Sequence, residues 1–331
     1  MTEHSVSSPA TGGRWSALLG LIEPAAMGPS IALLAMVAAF SILSPYFLTL
    51  NNVTNVLIQS APLLILSAGQ TFALLMGGLD LSQGSIVSLV SVVTAGVLLR
   101  HGIVLGAIAG LGAGFAVSLV NGLLIGRARI QPFIVTLGTL YMAAGLAMVY
   151  SGGASIFGLP KPDVDYFFWF GGGFIGAFPV PVLIAVLLIA IIYVVLNYTR
   201  FGRHVYAVGG SEAVAVMSGI ETGRVKVLIY LISGGSASIA GFLMSGRVIS
   251  GQPLLGAGDI LLQSIGAVII GGTSVFGGQG GVLRTVLGVL VVAFMVNGLN
   301  LLAIDTFAQQ VIVGAIIILS VWVNSWRRRR V

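Results

Sequence analysis

The 331-residue chain is 57% hydrophobic and 7% charged, with a mean hydropathy of +1.09, which excludes a soluble globular protein and identifies a polytopic membrane protein. It contains no cysteine, so disulfide frameworks and thiolate metal sites are excluded, and its three histidines are too scattered for a zinc motif. The formal charge of +6 would suit nucleic acid, but the positions of the basic residues mark membrane topology instead.

Residues 1–23 read as a short cytoplasmic tail, with no basic n-region leading into a cleavable signal. A helix of about 20 apolar residues spans the roughly 30 Å hydrocarbon core. On that rule the sequence predicts about ten transmembrane helices, near 25–45, 52–76, 82–99, 103–125, 131–150, 179–198, 226–246, 259–275, 283–302 and 307–325. An even number puts both termini on one side. If that side is the cytoplasm, the inner segments hold Arg14, Arg127, Arg129, Arg200, Arg203, Arg224, Lys226, Arg284 and Arg327–Arg330, twelve of the fifteen basic residues. Only Arg100, Lys161 and Arg247 fall outside, a strong positive-inside asymmetry. The transmembrane domain is thus expected over 24–326, followed by a basic cytoplasmic tail at 327–331. That tail reads as a stop-transfer anchor, with a specific lipid or partner site as the alternative.

Two glycine-rich breaks interrupt the apolar mass. Gly77-Gly78-Leu79-Asp80-Leu81-Ser82 follows the second span, and Gly271-Gly272-Thr273-Ser274-Val275-Phe276-Gly277-Gly278 follows the eighth. Irregular backbone at membrane depth is tolerated where protein buries it or a water-filled cavity adjoins it, and paired breaks in two halves point to a transporter. Val120-Asn121-Gly122-Leu123 and Val296-Asn297-Gly298-Leu299 recur after them as a weak internal repeat. Asp80 is the acidic residue deepest in apolar sequence. It or Ser82 is expected to cap the third span, with direct solute contact as the alternative; Asp259 is expected to cap the eighth. Between these breaks, Gly106, Gly110 and Gly114 repeat a small-xxx-small spacing that lets helix backbones approach.

The outer segment 151–178 ends in the aromatic run YFFWFGGGFIGAF, which predicts a short helix along the outer interface, with a docking face for an external partner as the alternative. The loop at 199–226 is the one long polar segment between apolar runs. Within it Ser211 is a good N-cap, Glu212 suits a helix N-terminus, and Gly219 can close the far end in the left-handed conformation. Val214 and Met217 share a face, beside Ala213 and Val216, giving a mildly apolar ridge held off the membrane. Spacing alone leaves two readings open: docking to a protein, or lying on the lipid surface.

Almost every charge falls at a span end or in a loop, which disfavours an ion-coupled carrier. There is no phosphate-binding GxxxxGK[ST] loop, no HExxH and no GxSxG, so neither a nucleotide site nor an enzyme is expected, and no cofactor. Energy for uphill transport has to enter through a partner.

Five stretches carry a family resemblance: FLTLNNVTNVL, GQTFALLMGGLDLSQGSIVSL (69–89), RARIQPFIVTLGTLYMAAGLA (127–147), TRFGRHVYAVGGSEAVAVMSGI (199–220) and SIGAVIIGGTSVFGGQGG (264–281). With these the chain resembles, from about Phe47 onward, the permease subunits of ribose-type sugar ABC importers, the branch that serves ribose, xylose, arabinose and galactose. The resemblance implies an all-α, type II-like importer permease of the bacterial inner membrane. It also implies three partners: a cytoplasmic ABC ATPase, a periplasmic or extracellular solute-binding protein, and a second permease copy forming a homodimer. It further implies that Gly209, Gly210, Ser211, Glu212, Ala213, Val214, Met217, Ser218 and Gly219 form a coupling helix seated in the ATPase. Gly77, Gly78, Asp80 and Ser82, with Gly271, Gly272 and Thr273, become two signature breaks near the translocation path. One departure stands out: Leu261 and Leu262 occupy positions where many relatives are acidic, Ser264 stands where alanine is common, and Asp259 is the nearest substitute. The remaining alternatives are an ABC permease for a nucleoside or branched amino acid, and an ATP-independent facilitator.

Overall fold

The protein was analysed as a computed structural model that describes residues 24–328. The expected tail at 1–23 and the end of the basic tail, residues 329–331, lie outside the described residues. The described chain runs α1 (Pro24–Leu43), α2 (Leu50–Leu75), α3 (Gln83–Gly126), α4 (Pro132–Ser151), α5 (Asp163–Gly172), β1 (Phe174–Ile175), β2 (Phe178–Pro179), α6 (Val180–Tyr198), α7 (Arg200–Gly210), α8 (Glu212–Met217), α9 (Thr222–Val248), α10 (Asp259–Ile270), α11 (Val282–Leu301) and α12 (Thr306–Arg328). Six of these, α2, α3, α4, α6, α9 and α11, are long and apolar enough to cross a membrane, while α1, α10 and α12 carry shorter apolar stretches.

The 44-residue α3 is two limbs folded at Gly102, whose φ of 80° is open to glycine. The limbs lie side by side because the small-xxx-small glycines face the first limb. A Cβ added at Gly106 would stand 2.8 Å from the Thr94 carbonyl, and one at Gly110 would stand 3.0 Å from the Val90 carbonyl. Lipid offers no hydrophobic drive between helices, so this close backbone packing carries the association. The fold-back is capped from outside: Asp163 at the start of α5 accepts the Ile103 N–H at 3.0 Å.

Helix α9 lies at the centre and packs on both α2 and α3. Ile65, Leu66, Ile86, Val87, Val90, Ala237, Ala240 and Leu243 make one buried cluster there. The helix expected in the outer segment is α5, but it does not simply lie on the surface. Phe167 is fully buried and stacks at a tilt on Phe242 of α9, 5.3 Å between centroids, while Tyr166 and Phe168 stay exposed. A two-residue antiparallel ribbon, β1 with β2, follows it, in register Phe174 to Pro179. Around the rim α4 and α6 expose Tyr141, Met142, Val149, Val186, Leu187 and Val194, a surface suited to lipid and not to water.

Candidate functional site

The two glycine-rich breaks end their helices by the same geometry. After α2, Gly77 takes φ 82° and the N–H groups of Gly78 and Gly77 reach back to Ala73 and Leu74 at 2.9 and 2.8 Å. After α10, Gly272 takes φ 92° and Thr273 and Gly272 reach Val268 and Ile269 at 3.2 and 2.8 Å. Each is a Schellman motif, which needs a residue tolerant of positive φ just past the helix end. The repeat is therefore real at the backbone of the breaks. It does not extend to the asparagines, since Asn121 donates to Ser82 at 2.8 Å whereas Asn297 and Asn52 form a reciprocal amide pair.

Asp80 is fully buried at the first break. Its Oδ1 accepts the backbone N–H of Ser82 at 3.0 Å and the Ser82 hydroxyl at 2.6 Å, and its Oδ2 accepts the Ser233 hydroxyl of α9 at 2.6 Å. Gln83 donates to Ser233 at 2.9 Å, and Thr139 of α4 donates to Asn121 at 2.7 Å. The Gln70 amide, oriented to suit its neighbours, bridges the Asp80 backbone and Gln83. The expected helix cap is thus only partly right. Asp80 holds the turn before α3, but the Ser82 side chain makes no cap bond at that helix's N-terminus, its hydroxyl instead donating to Asp80 and accepting from Asn121. Four helices, α2, α3, α4 and α9, converge on this carboxylate through residues to which sequence reasoning gave no part in its binding: Gln70, Gln83, Asn121, Thr139 and Ser233. Their signal was polarity inside apolar spans.

The cap expected of Asp259 is not formed. Asp259 is the first residue of α10, makes no cap bond, and accepts instead from Gln310 of α12 at 2.8 Å. Residue Gly258, with φ 104°, occupies the cap position, so the carboxylate sits one residue too late to reach back over the helix N-terminus.

The polar loop forms two helices where the sequence marks one. Helix α7 begins at Thr199, whose hydroxyl accepts the Gly202 N–H at 3.2 Å, and buries Val205 and Val208. Helix α8 begins at Ser211, which accepts the Val214 N–H at 3.4 Å. It closes at Ser218 and Gly219: Gly219 has φ 78°, and Gly219 and Ile220 reach back to Val216 and Ala215, each at 3.0 Å. This is a third Schellman motif, with Ile220 packed in the cluster that buries Ala215, the contact that usually accompanies it. The opposite side carries Val214, Val216 and Met217, the last 88% exposed, with Ala213 beside them. The Ser218 hydroxyl turns back onto the Val214 carbonyl at 2.9 Å. Glu212 pairs with Lys226 of α9 at 2.6 Å, and this hydrogen bond holds its carboxyl below the usual range. The pair pins α8 to the bundle.

These three regions meet. A Cβ at Gly209 would run into the Leu75 carbonyl at the end of α2, and one at Gly277 would lie 2.7 Å from the Gly209 carbonyl and 2.9 Å from the Gly77 nitrogen. Gly278 donates to the Leu75 carbonyl at 2.8 Å, and Tyr206 of α7 donates to the Gly280 carbonyl at 2.9 Å. Gly210 abuts Gly278, and Gly271 lies hard against the Arg284 carbonyl of α11. The polar loop is therefore wedged between the end of α2 and the second break, at a junction that leaves no room for a side chain at Gly209 or Gly277. Thr273 is buried beside Gly280, its hydroxyl unpartnered among the described residues. Among the described residues no cluster of His, Asp or Glu could hold a metal ion.

Residues 52–321 match the family model described as the permease component of a branched-chain amino acid transport system. Among curated proteins the chain is 36% identical to the ribose import permease protein RbsC of Escherichia coli K12, over 98% of this chain and 99% of that one. It is 41% identical to RbsC of Bacillus subtilis 168, over 89% and 91% of the two chains. It is 35% identical to the fructose import permease protein FrcC of Rhizobium meliloti, over 93% and 87%. No solved structure matches it significantly.

Proposed function

The chain belongs to the transport-system permease family matched over residues 52–321, together with the ribose import permeases, and from that premise we propose how its geometry serves transport. It is the permease subunit of a sugar ABC importer, a multi-pass inner-membrane protein and not an enzyme; ATP is hydrolysed by a partner and a binding protein supplies the solute. The observation that carries the coupling mechanism is the glycine junction, where Gly209 and Gly210 of the polar loop touch the ends of α2 and of the second break. The ridge of Val214 and Met217 seats in the ATPase. Displacement of α8 by that subunit passes through α7 to Leu75 and to Gly277 and Gly278, shifting both broken helices together.

The finer reading has ten crossings, with both termini and the 199–226 loop cytoplasmic. It rests on the twelve-to-three split of basic residues and on the loop lying beside both breaks. Two copies of the chain pair around the path. A Ser211→Cys variant tests the sidedness, because the protein has no other cysteine: labelling by an impermeant thiol reagent from outside intact cells would refute it. For the activity, the permease is reconstituted with its ATPase and binding protein and given labelled D-ribose, D-allose, D-fructose and L-leucine. Uptake of a sugar that requires both ATP and the binding protein is expected. Uptake of leucine alone, or sugar flux without ATP, would overturn the reading.

A further inference from the structure

A cavity of about 330 Å³ opens between the N-terminal halves of α2 and α10 and the C-terminal half of α11, within the roughly 300–1,000 Å³ usual for small-molecule sites. Its polar wall is made by Gln59, Ser60, Asp259, Gln263, Asn297 and Asn300. Much of the hydrogen-bonding capacity on that wall is uncommitted. Among the described residues the Gln59 and Gln263 amides make no hydrogen bond. Asp259 spends one oxygen on Gln310 at 2.8 Å and keeps the other, and Asn300 accepts from Gln309 at 2.7 Å and keeps its NH₂. Asn297 is held rigidly by its reciprocal pair with Asn52, at 2.8 and 2.9 Å. The facing wall is aliphatic, with Leu63, Val292 and Val296.

The donor set selects a chemical class. Amides both donate and accept, and a carboxylate accepts two bonds, so together they complement neighbouring hydroxyl groups, each a donor and an acceptor at once. Among the described residues no Lys or Arg lines the cavity, so a phosphate or the carboxylate of an amino acid would lie beside Asp259 without a counter-charge. Among the described residues no aromatic ring lines it either, so they give no stacking platform for a nucleoside base or for tight retention of a sugar ring. Position adds the second argument. The same α2 whose N-terminal half forms this wall ends at the glycine junction, the end of α10 packs on it through Val268, Ile269 and Leu74, and α11 begins beside it. Gln59 and Leu75 are roughly 24 Å apart along α2. Movement at the junction therefore acts on both sides of the cavity. We propose that this cavity is the permease's own solute site, which holds a small neutral polyhydroxylated molecule in transit through Gln59, Gln263, Asp259 and Asn300. The proposal rests on the importer reading and deepens it.

The test uses the full assembly in proteoliposomes, with D-ribose, D-allose and D-fructose as probes. Wild type establishes the importer reading by itself: ATP-dependent uptake of one of these sugars has to be seen, and its absence counts against that reading and the cavity assignment alike. Given a transported sugar, the double variant Gln59→Leu/Gln263→Leu is expected to lower uptake roughly tenfold, the size of losing one or two neutral hydrogen bonds. ATPase co-purification and basal ATP hydrolysis should stay at wild-type level. Should the double variant fail to assemble, single Gln263→Cys and Gln59→Cys variants decide, since no native cysteine competes for label. The sugar-loaded binding protein with ATP should slow their reaction with an impermeant thiol reagent at least threefold. Wild-type uptake by an assembled double variant, or labelling indifferent to sugar, would show that the solute passes elsewhere.

Discussion

The two breaks share a backbone and differ in what fills it. Each closes a helix with a Schellman turn on a glycine, Gly77 in one and Gly272 in the other, and each reaches the polar loop at Gly209. The first is then locked by a buried carboxylate whose oxygens take three hydrogen bonds, from two residues of which one belongs to another helix. The second, from Gly271 to Gly281, contains no charge at all, and its buried Thr273 hydroxyl is unpartnered among the described residues. The difference teaches that backbone conformation and anchoring are separate devices. Glycine sets the turn in both, whereas Asp80 ties one of them to α3 and α9, and on to α4 through Ser82, Asn121 and Thr139. We propose that when the loop moves the first break shifts as one unit with the helices its carboxylate ties together, whereas the second follows through its contacts with Leu75 and Tyr206.

The largest effect is expected where both breaks are touched at once. Gly209→Val drives a branched side chain into the Leu75 carbonyl, at the upper end of the roughly 1–3 kcal/mol typical of overpacking. Transport should fall more than tenfold at matched permease amounts; near-normal uptake would mean the junction is looser than it stands. Next comes the anchor of the first break. Asp80→Ala leaves the Ser82 N–H and two hydroxyls without their acceptor, at a cost of about 1–3 kcal/mol, while Asp80→Asn keeps an oxygen there and should retain more folded protein and more uptake. Equal loss of uptake in both, with normal yields, would assign the role to the charge itself.

A smaller effect is expected at the end of the ridge. Gly219→Val puts a β-branched residue at φ 78°, costing about 1–3 kcal/mol locally and mis-aiming α8. Coupled transport should drop severalfold while thermal stability of the bundle changes little, since Gly219 is exposed. The smallest belongs to the second break. Thr273→Val removes a hydroxyl that has no hydrogen-bond partner among the described residues, so stability should stay within about 1 kcal/mol or rise. A loss as large as that of Asp80→Ala would erase the contrast between the breaks.

Much of this was legible in the chain. The six helices long enough to cross a membrane follow from apolar run length, and the caps at Ser211 and Gly219 follow from local chemistry, because both signals act within a few residues. The positions of the two breaks were legible for the same reason. What they contact was not. Ser233 lies 153 residues from Asp80, and nothing near either predicts the bond. Helix α7 escaped notice because its glycines read as loop, although Thr199 was a cap signal and Phe201, Val205 and Val208 recur at helical spacing. Asp259 was misjudged by one residue, the distance that separates a cap from a first helical position. The meeting of Gly209, Gly277 and Gly77 depends on packing between distant segments, which no local pattern reports.

Met217 is the most exposed residue of the α8 ridge, at 88%. Its side chain supports little within the permease, so Met217→Asp should leave span insertion and permease abundance unchanged. In the groove of an ATPase the new carboxylate would be buried without a partner, at a cost of several kcal/mol. The measurement is sugar uptake beside co-purification of the ATPase, with permease amounts held equal. Uptake and co-purification are predicted to fall together, and a variant that still moved sugar at the normal rate with no ATPase attached would contradict the coupling role of the loop.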